Sequence, residues 1–318
     1  MVPAASPSSS SDVRVGILVL NYHHPKETLD CVKSLLAREP ASTRVVWLEN
    51  DAKVTWPNAR AVLKSSGIPY EILEAESTRL SESGVVGVIL NQENLGFAGG
   101  NNVGFRLLHR NGVPFTWVLN NDTLLQSGSS NALVRAAEAR PEVGLWGTTI
   151  QAADGRSYSG GLLNRRDFSI ELILATEILE GNPLSFISGC SLFSRTEVAH
   201  TLGYLPEDYF LYYEDPAFSM EARRQGLAVS ACHEVAIFHE ESLSTGHRSP
   251  LMEYYSRRNR WAFIQRYFPS QLSVQQWKMW YRFQSLLFRG NLRRFRLEWQ
   301  AMQDWKAGRM GRTERMLG

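Results

Sequence analysis

Short, nearly continuous apolar runs alternate with stretches of helical spacing through the first half of the chain. Residues 13–20 (VRVGILVL) form the first run, and Asn21-Tyr22-His23-His24-Pro25 breaks it. Its length and β-branched content predict a strand buried on both faces, as in a parallel sheet. Thr28, Leu29, Cys31, Val32, Leu35 and Leu36 then recur at helix spacing, and residues 44–48 (RVVWL) predict a second strand ending in Glu49-Asn50-Asp51. Strand–helix–strand alternation predicts a parallel sheet with right-handed crossovers.

The pattern continues with a strand at 85–90, a Gly/Asn loop at 91–102 and a helix at 103–110. Residues 115–119 (FTWVL) predict a strand stopped by Asn120-Asn121-Asp122, followed by a helix at 132–140 and a strand at 143–150. Residues 156–185, with mixed charges and Gly160-Gly161, are expected to be strands and loops covering the sheet. Beyond the small-residue stretch 185–193 (SFISGCSLF) and a turn-rich segment at 203–210, a helix opens at Tyr212-Tyr213-Glu214-Asp215-Pro216. It runs to Arg224, with Gly226 at its C′ position, and residues 228–238 predict a last strand. Polar residues thus gather just after strands, where ligands sit in open α/β sheets.

Composition adds a boundary. The chain has 318 residues, 43% hydrophobic and 21% charged, with a net charge of +2. That is globular composition with no overall pull on nucleic acid. Residues 251–318, however, carry 14 Lys/Arg against Glu253, Glu298, Asp304 and Glu314, so the remainder is net acidic. Five of the nine tryptophans lie there too. Trp277, Trp280, Phe283, Leu287 and Phe288 recur at near-helical spacing, and Arg289, Arg293, Arg294 and Arg296 follow. An interfacial helix on anionic lipid fits this pattern; so does a helical appendage packed on the catalytic domain or on a second subunit. No nucleic-acid recognition motif accompanies the charge.

Cys31, Cys190 and Cys232 form no short-spaced pair. They are expected to be small core residues in a reducing compartment, not a disulfide framework or zinc site. Residues 1–12 lack the basic and apolar regions of a secretory signal and are expected to be a disordered Pro/Ser tail. No apolar run reaches the roughly 18 residues of a spanning helix, so any membrane contact is expected to be peripheral.

Several clusters could carry chemistry, each with a plainer reading beside it. Asp122 could hold Mg²⁺ or Mn²⁺ against a diphosphate, with Asn120 or Asn121 adding a carbonyl or ribose contact; the triplet is also a good Asx turn. The stretch from Asn94 to Asn102 is Gly-rich and leads into a helix, which suits close approach to an anion. It matches neither common phosphate-loop pattern and could be a simple glycine bend. Glu214 and Asp215 open a helix, where a carboxylate can act as general base or merely complement the helix dipole. His239 could bind metal or phosphate, or be structural. Among Tyr254, Tyr255, Arg257, Arg258, Asn259 and Arg260, arginines could clamp a pyrophosphate or form a solvated helix face.

Taken in order, ILVLNYHH, the strand ending in Glu49-Asn50, NLGFAGGNN, LNNDT, SGC, YFLYYEDPAF, HEES and YYSRRNR closely resemble the family 2 glycosyltransferases, especially the rhamnosyltransferase-like branch. The resemblance covers about residues 13–263. It implies a GT-A fold: an α/β unit with a mostly parallel, Rossmann-like sheet flanked by helices. The unit would span 13–246, with a nucleotide-sugar half at about 13–125 and an acceptor half at about 126–246. A basic, Trp-rich helical region at 247–318 would follow.

It also implies roles. Asn21 and Glu49 would contact the nucleoside, with Glu49 standing where the family usually has Asp. Asn94, Gly96 and Asn102 would shape the donor-side loop. Asn120 stands where many relatives have Asp, which leaves the metal mainly to Asp122; His239 would complete the metal or diphosphate site, and Asn121 would lie on the donor side. Asp215 would be the general base and Glu214 its partner, with Gly189 and Tyr213 on the acceptor side and Arg258 near the leaving diphosphate. Many relatives read EDxD; Ala217 replaces the final acid here.

The implied activity is inverting transfer of a sugar, rhamnose among the candidates, from a dTDP- or UDP-sugar to a glycan or lipid-linked acceptor. Cell-surface polysaccharide synthesis in the cytoplasm, at the inner face of the plasma membrane, is the expected setting, and a homo-oligomer is compatible. A degenerate nucleotide- or glycan-binding scaffold and a sugar nucleotidyltransferase are the rival readings.

Overall fold

A computed structural model describes residues 13–240 and 249–313. The expected tail at 1–12, the Glu241-Ser242 end of the HEES motif and the boundary near 246 lie outside the described residues.

The first apolar run is β1 (Val15–Asn21), followed by α1 (Pro25–Leu36), whose Pro25 sits in the first turn, where its missing N–H costs nothing. Next come β2 (Thr43–Asn50), α2 (Ala52–Ser66), β3 (Tyr70–Ile72) and β4 (Val86–Asn91). Nothing in the sequence pattern announces α2 and β3. In α2 only Ala52, Thr55, Ala59 and Leu63 are buried, a weakly apolar stripe interrupted by Pro57.

The Gly/Asn segment corrects the expected loop at 91–102. Helix α3 (Gly96–Arg110) already begins inside it. Glycine disfavours helix through lost backbone entropy, yet here the bare backbone is the packing surface. A Cβ on Gly100 would come within 2.6 Å of Leu20, and one on Gly104 within 2.6 Å of Leu18. Close docking of α3 on β1 outweighs propensity.

Then follow β5 (Phe115–Asn120), β6 (Thr123–Ser127), α4 (Ser130–Ala139) and β7 (Val143–Ala152). Asn121 and Asp122 are therefore the two-residue link between β5 and an unanticipated strand. The 156–185 segment folds as β8 (Ser157–Tyr158), β9 (Gly160–Leu163), β10 (Ile170–Ile173) and α5 (Thr176–Gly181). After it come β11 (Ser185–Ile187), β12 (Ser191–Arg195), α6 (Thr196–Thr201), α7 (Glu214–Arg224) and β13 (Ala228–His239).

The main sheet has the order β3-β4-β2-β1-β5-β12-β7-β13-β6. The five strands from β3 to β5 run parallel. Strand β12 is inserted antiparallel between β5 and β7, β13 lies parallel to β7, and β6 closes the edge antiparallel to β13. A small antiparallel sheet, β10-β9-β11, packs beside β7 and β8. Apolar clusters fill both faces of the main sheet, one around Trp47 and Trp117, the other around Phe105 and Phe218. The three cysteines are buried and unpaired.

Helix α8 (Pro250–Tyr267) starts at Ser249, whose side chain accepts the Met252 N–H at 3.1 Å. Its Phe263, Ile264 and Tyr267 share a core with Tyr209, Tyr213 and Ala217. Helices α9 (Leu272–Phe288) and α10 (Leu292–Lys306) close over Trp261, which stacks on Trp305. Of the five residues expected on one apolar face, Phe283 is buried in that cluster, whereas Trp277, Trp280, Leu287 and Phe288 are exposed.

Candidate active site

Two pairs of polar side chains meet at the carboxyl end of β5. The first is Asp122, in the β5–β6 link, and His239, the last residue of β13. Antiparallel pairing of β13 with β6 sets His239 opposite Thr123, next to the aspartate. Asp122 Oδ1 and His239 Nε2 are 3.2 Å apart and nearly sealed from solvent, yet neither atom has a well-formed hydrogen bond. His239 Nδ1 lies 3.0 Å from the Tyr158 hydroxyl, which orients the ring and leaves Nε2 for Asp122. Burial opposes a charged ring, but Cys190 and the Asp122 carboxylate outweigh it and hold His239 protonated well above the usual imidazole range. Two ligand atoms at this separation fit one divalent cation about 2.0–2.2 Å from each, and binding it requires His239 Nε2 to give up its proton.

The second pair is Glu214 and Asp215. Tyr212 (φ 68°) and Tyr213 (φ 76°) both occupy the left-handed region just before α7. Each costs about 1–2 kcal/mol for a residue with a side chain, and together they turn the chain so that α7 opens on the two acids. Asp215 Oδ2 accepts the Gly189 N–H at 3.0 Å. Glu214 is buried, with Oε2 unpartnered. Burial raises both pKa values; Asp215 adds to the rise at Glu214, while the Gly189 N–H tempers it at Asp215. The two carboxyls titrate as a unit, with Glu214 the better holder of a proton.

The turn Ser188-Gly189-Cys190 joins the two pairs. Gly189 holds Asp215, the Cys190 carbonyl accepts the Asn120 N–H at 3.0 Å, and the Cys190 thiol neighbours His239. A Cβ on Gly189 would press on Phe97 at 3.1 Å and face the Asp215 Cβ at 3.6 Å. Distant segments of sequence therefore converge on one tripeptide.

The remaining expected residues brace this region. Asn102 is closed on the 205–207 segment: its amide bonds both polar main-chain groups of Leu205 and reaches Glu207. Asn94 accepts from the Asn50 amide and from the Gly96 N–H, both at 2.9 Å. Asn50, which sequence reasoning passed over inside its own Glu49-Asn50 motif, also binds the Leu95 N–H and the Gly96 carbonyl. Asn121 turns away to Thr28 on α1 at 3.0 Å. Asn120 contributes main-chain bonds to Cys190 and Thr123.

Two expectations need correction. Asn21 and Glu49 are both fully buried and bonded to each other at 2.9 and 3.0 Å, with the Trp47 indole also donating to Glu49. Their side chains lock the ends of β1 and β2 together and present no free face to a nucleoside. Arg258 is buried too: it donates to the carbonyls of Tyr209 and Gly311 and stacks on Tyr255. Arg257, one residue before it, and Arg260, two after it, are half-buried on another side of α8. Tyr213 is buried, and its hydroxyl donates to the Phe168 carbonyl at 2.7 Å.

Residues 116–302, more than half of the chain, match the model of glycosyl transferase family group 2. The chain belongs to this family. A curated relative is the low-salt glycan biosynthesis hexosyltransferase Agl10 of Haloferax volcanii, 28% identical over 188 residues. That match takes in 52% of this chain and 56% of the relative, so the chain spans about half the relative's length. Among solved structures, GalNAc-T7 with UDP, GalNAc and Mn²⁺ superposes with a TM-score of 0.54 at 12% identity, covering 77% of this chain and 47% of the other. The mannosyltransferase PcManGT of Pyrobaculum calidifontis, in complex with GDP-Man and Mn²⁺, gives 0.52 at 13%, covering 92% and 75%. At these identities the likeness is one of fold, and the fold is GT-A. As a family 2 glycosyltransferase chain it lacks the last acid of the EDxD pattern, and the structure accommodates the change: Ala217 is fully buried in the cluster with Phe263 and Tyr267.

A separate group, His109, Glu197 and His200, brings three ligand atoms within 4.8 Å of one another. It lies on α3 and α6 at the opposite end of the sheet, away from both acid pairs.

Proposed function

We propose that the chain catalyses inverting transfer of a hexosyl group from a nucleotide-diphosphate donor to an acceptor hydroxyl. The observation that carries this reading is the convergence of the Asp122–His239 pair and Asp215 on the single turn Ser188-Gly189-Cys190, with Gly189 touching one side and Cys190 the other. Asp122 and His239 would hold Mg²⁺ or Mn²⁺, which would offset the charge growing on the leaving diphosphate. Asp215 takes the proton from the acceptor hydroxyl, and the acceptor oxygen attacks the anomeric carbon as the bond to the diphosphate breaks on the opposite face. The Gly189 N–H fixes the orientation of the base. The two solved neighbours carry UDP and GDP-Man with Mn²⁺, which supports a nucleotide-sugar donor and a divalent metal. dTDP- and UDP-sugars, dTDP-rhamnose included, are the first donors to try.

The acceptor is a glycan or a lipid-linked saccharide. No helix among the described residues is long and apolar enough to cross a membrane; the exposed Trp277, Trp280 and Phe288 of α9 supply a peripheral contact at the inner face of the plasma membrane.

The test is turnover of a nucleotide-sugar panel with and without Mn²⁺. Asp215→Asn should lower kcat by about 10²–10⁴-fold while nucleoside diphosphate binding, read by thermal shift, persists. Wild-type protein that binds nucleotide but turns over no activated sugar would instead be a scaffold.

A further inference from the structure

A cavity of about 860 Å³ opens between α8, α10 and β10, with Tyr212 and Tyr213 in its wall. It shares no residue with the Asp122–His239 pair, and it abuts the start of α7, where the two acids follow Tyr213 directly. Its size suits one or two sugar residues. Its charge is out of balance. Arg257, Arg260, Arg293 and Arg294 line it, and Arg282 stands behind them.

The nearby carboxylates do not cover these cations. Glu298 is held in a fork by Arg282, both contacts at 2.6 Å, and is shared with Arg294 at 3.3 Å; Arg257 comes only within 3.7 Å of it. Glu253 pairs with Arg294 at 2.7 Å. The Asp167 carboxylate is turned to Ser169, and Arg260 reaches only the Asp167 main-chain carbonyl. Arg293 has no ion-pair partner among the described residues. Five guanidiniums thus face three carboxylates. Burial, with Arg260 the foremost of several cationic neighbours, pushes the Arg257 pKa down to about 10, so an entering anion would relieve a strained positive cluster. A cavity built for a neutral sugar would leave Arg257 shielded from solvent with Glu298 no nearer than 3.7 Å, which is costly. Guanidinium forks match phosphate oxygens in geometry as well as charge.

We propose that this cavity is the acceptor subsite and that it takes a saccharide bearing a phosphate ester, an inference that rests on the transferase reading above. The phosphate sits among Arg257, Arg260 and Arg293, and the sugar extends past Tyr213 toward Asp215.

The probe is glucose 1-phosphate, titrated calorimetrically into the full chain, with methyl glucoside as the neutral control. Asp122→Asn removes metal-assisted binding on the donor side, and affinity for glucose 1-phosphate should survive it. The double variant Arg260→Gln/Arg293→Gln should lose affinity by about ten-fold or more, and Arg260→Lys/Arg293→Lys should recover part of it. Both arginines are partly or fully exposed, so folding is not at stake; an unchanged melting temperature verifies this. Unaltered affinity in the Gln variant, or loss of binding in Asp122→Asn, overturns the proposal. Nucleotide-sugar turnover without arginine-dependent phosphate binding overturns the cavity's role alone. Phosphate binding without turnover of any activated sugar overturns the acceptor role together with the transferase reading. Decyl diphosphate in detergent micelles separates the sources: tighter binding than glucose 1-phosphate identifies a lipid-linked acceptor, and weaker binding a free phosphorylated glycan.

Discussion

Glu214 and Asp215 are adjacent in the chain but differ in surroundings. One is sealed with a free carboxylate oxygen; the other is partly open to solvent and held by a backbone N–H. A general base works only when ionised, and burial raises the Asp215 pKa above the ordinary aspartate value. Activity should therefore be lost as pH falls, through a midpoint above the usual carboxylate pKa of about 4. A kcat/KM profile whose acidic limb sits at or below that value would mean that Asp215 is not the base. Asp122 permits a second test. Partners of metal ligands alone are worth about 10–100-fold in affinity, so Asp122→Asn should weaken Mn²⁺ binding by at least that much in a calorimetric titration with nucleotide present. An unchanged Mn²⁺ affinity would move the metal elsewhere, with the His109–Glu197–His200 group the first place to look.

Among the elements, α3 shows how packing overrules propensity. Its first residue, Gly96, has φ 72°, and a Cβ there would fall 2.2 Å from the Phe210 carbonyl oxygen. That carbonyl accepts the Phe97 N–H at 2.9 Å, tying α3 to the segment that leads into Tyr212 and Tyr213. Gly67 has the same φ but open space around it, so it isolates the backbone term. Gly67→Ala should cost about 1–2 kcal/mol, the left-handed penalty. Gly96→Ala should cost clearly more and should also impair turnover, because the displaced Phe210 lies in the segment that leads into Tyr212, Tyr213 and the acid pair. Equal losses in denaturant melts would show that the close approach has no energetic weight. Asn102→Ala belongs with them: it strips partners from the buried Leu205 N–H and carbonyl, at about 1–3 kcal/mol for each group left unpaired.

For the whole molecule the open matter is the outer face of α9. Trp277, Trp280, Tyr281 and Phe288 are exposed, as are Arg289 and Arg296, while Met279, Phe283 and Leu286 are buried. Anionic lipid attracts basic residues at about 1 kcal/mol each near its surface, and tryptophan favours the headgroup boundary. The chain should float with vesicles containing phosphatidylserine or phosphatidylglycerol and not with neutral ones. Trp277→Ser/Phe288→Ser and raised salt should both weaken that flotation. No flotation at low salt, combined with a dimer by light scattering, would assign the face to a second subunit.

Strands β1, β2, β4, β5, β7 and β13, several helices and the polar residues at strand ends were legible in the chain because burial imprints a local period on the sequence; short β3 and β6 were not. The same signal placed Glu214 and Asp215 at a helix start and Asp122 just past a strand. It could not pair Asp122 with His239, nor bring Gly189 under Asp215, since those contacts depend on which strands become neighbours. It misread residues 96–102 as a loop because glycine composition reports intrinsic preference, whereas Leu18 and Leu20 supply the surface that makes the helix favourable. The family resemblance put Arg258 at the diphosphate, and neighbouring arginines look alike in a sequence. Only the rotation of α8 against residues 209–213 decides that Arg258 turns inward to carbonyls while Arg257 and Arg260 face the cavity. Local periodicity thus determined the elements, and long-range packing decided which of their polar residues meet.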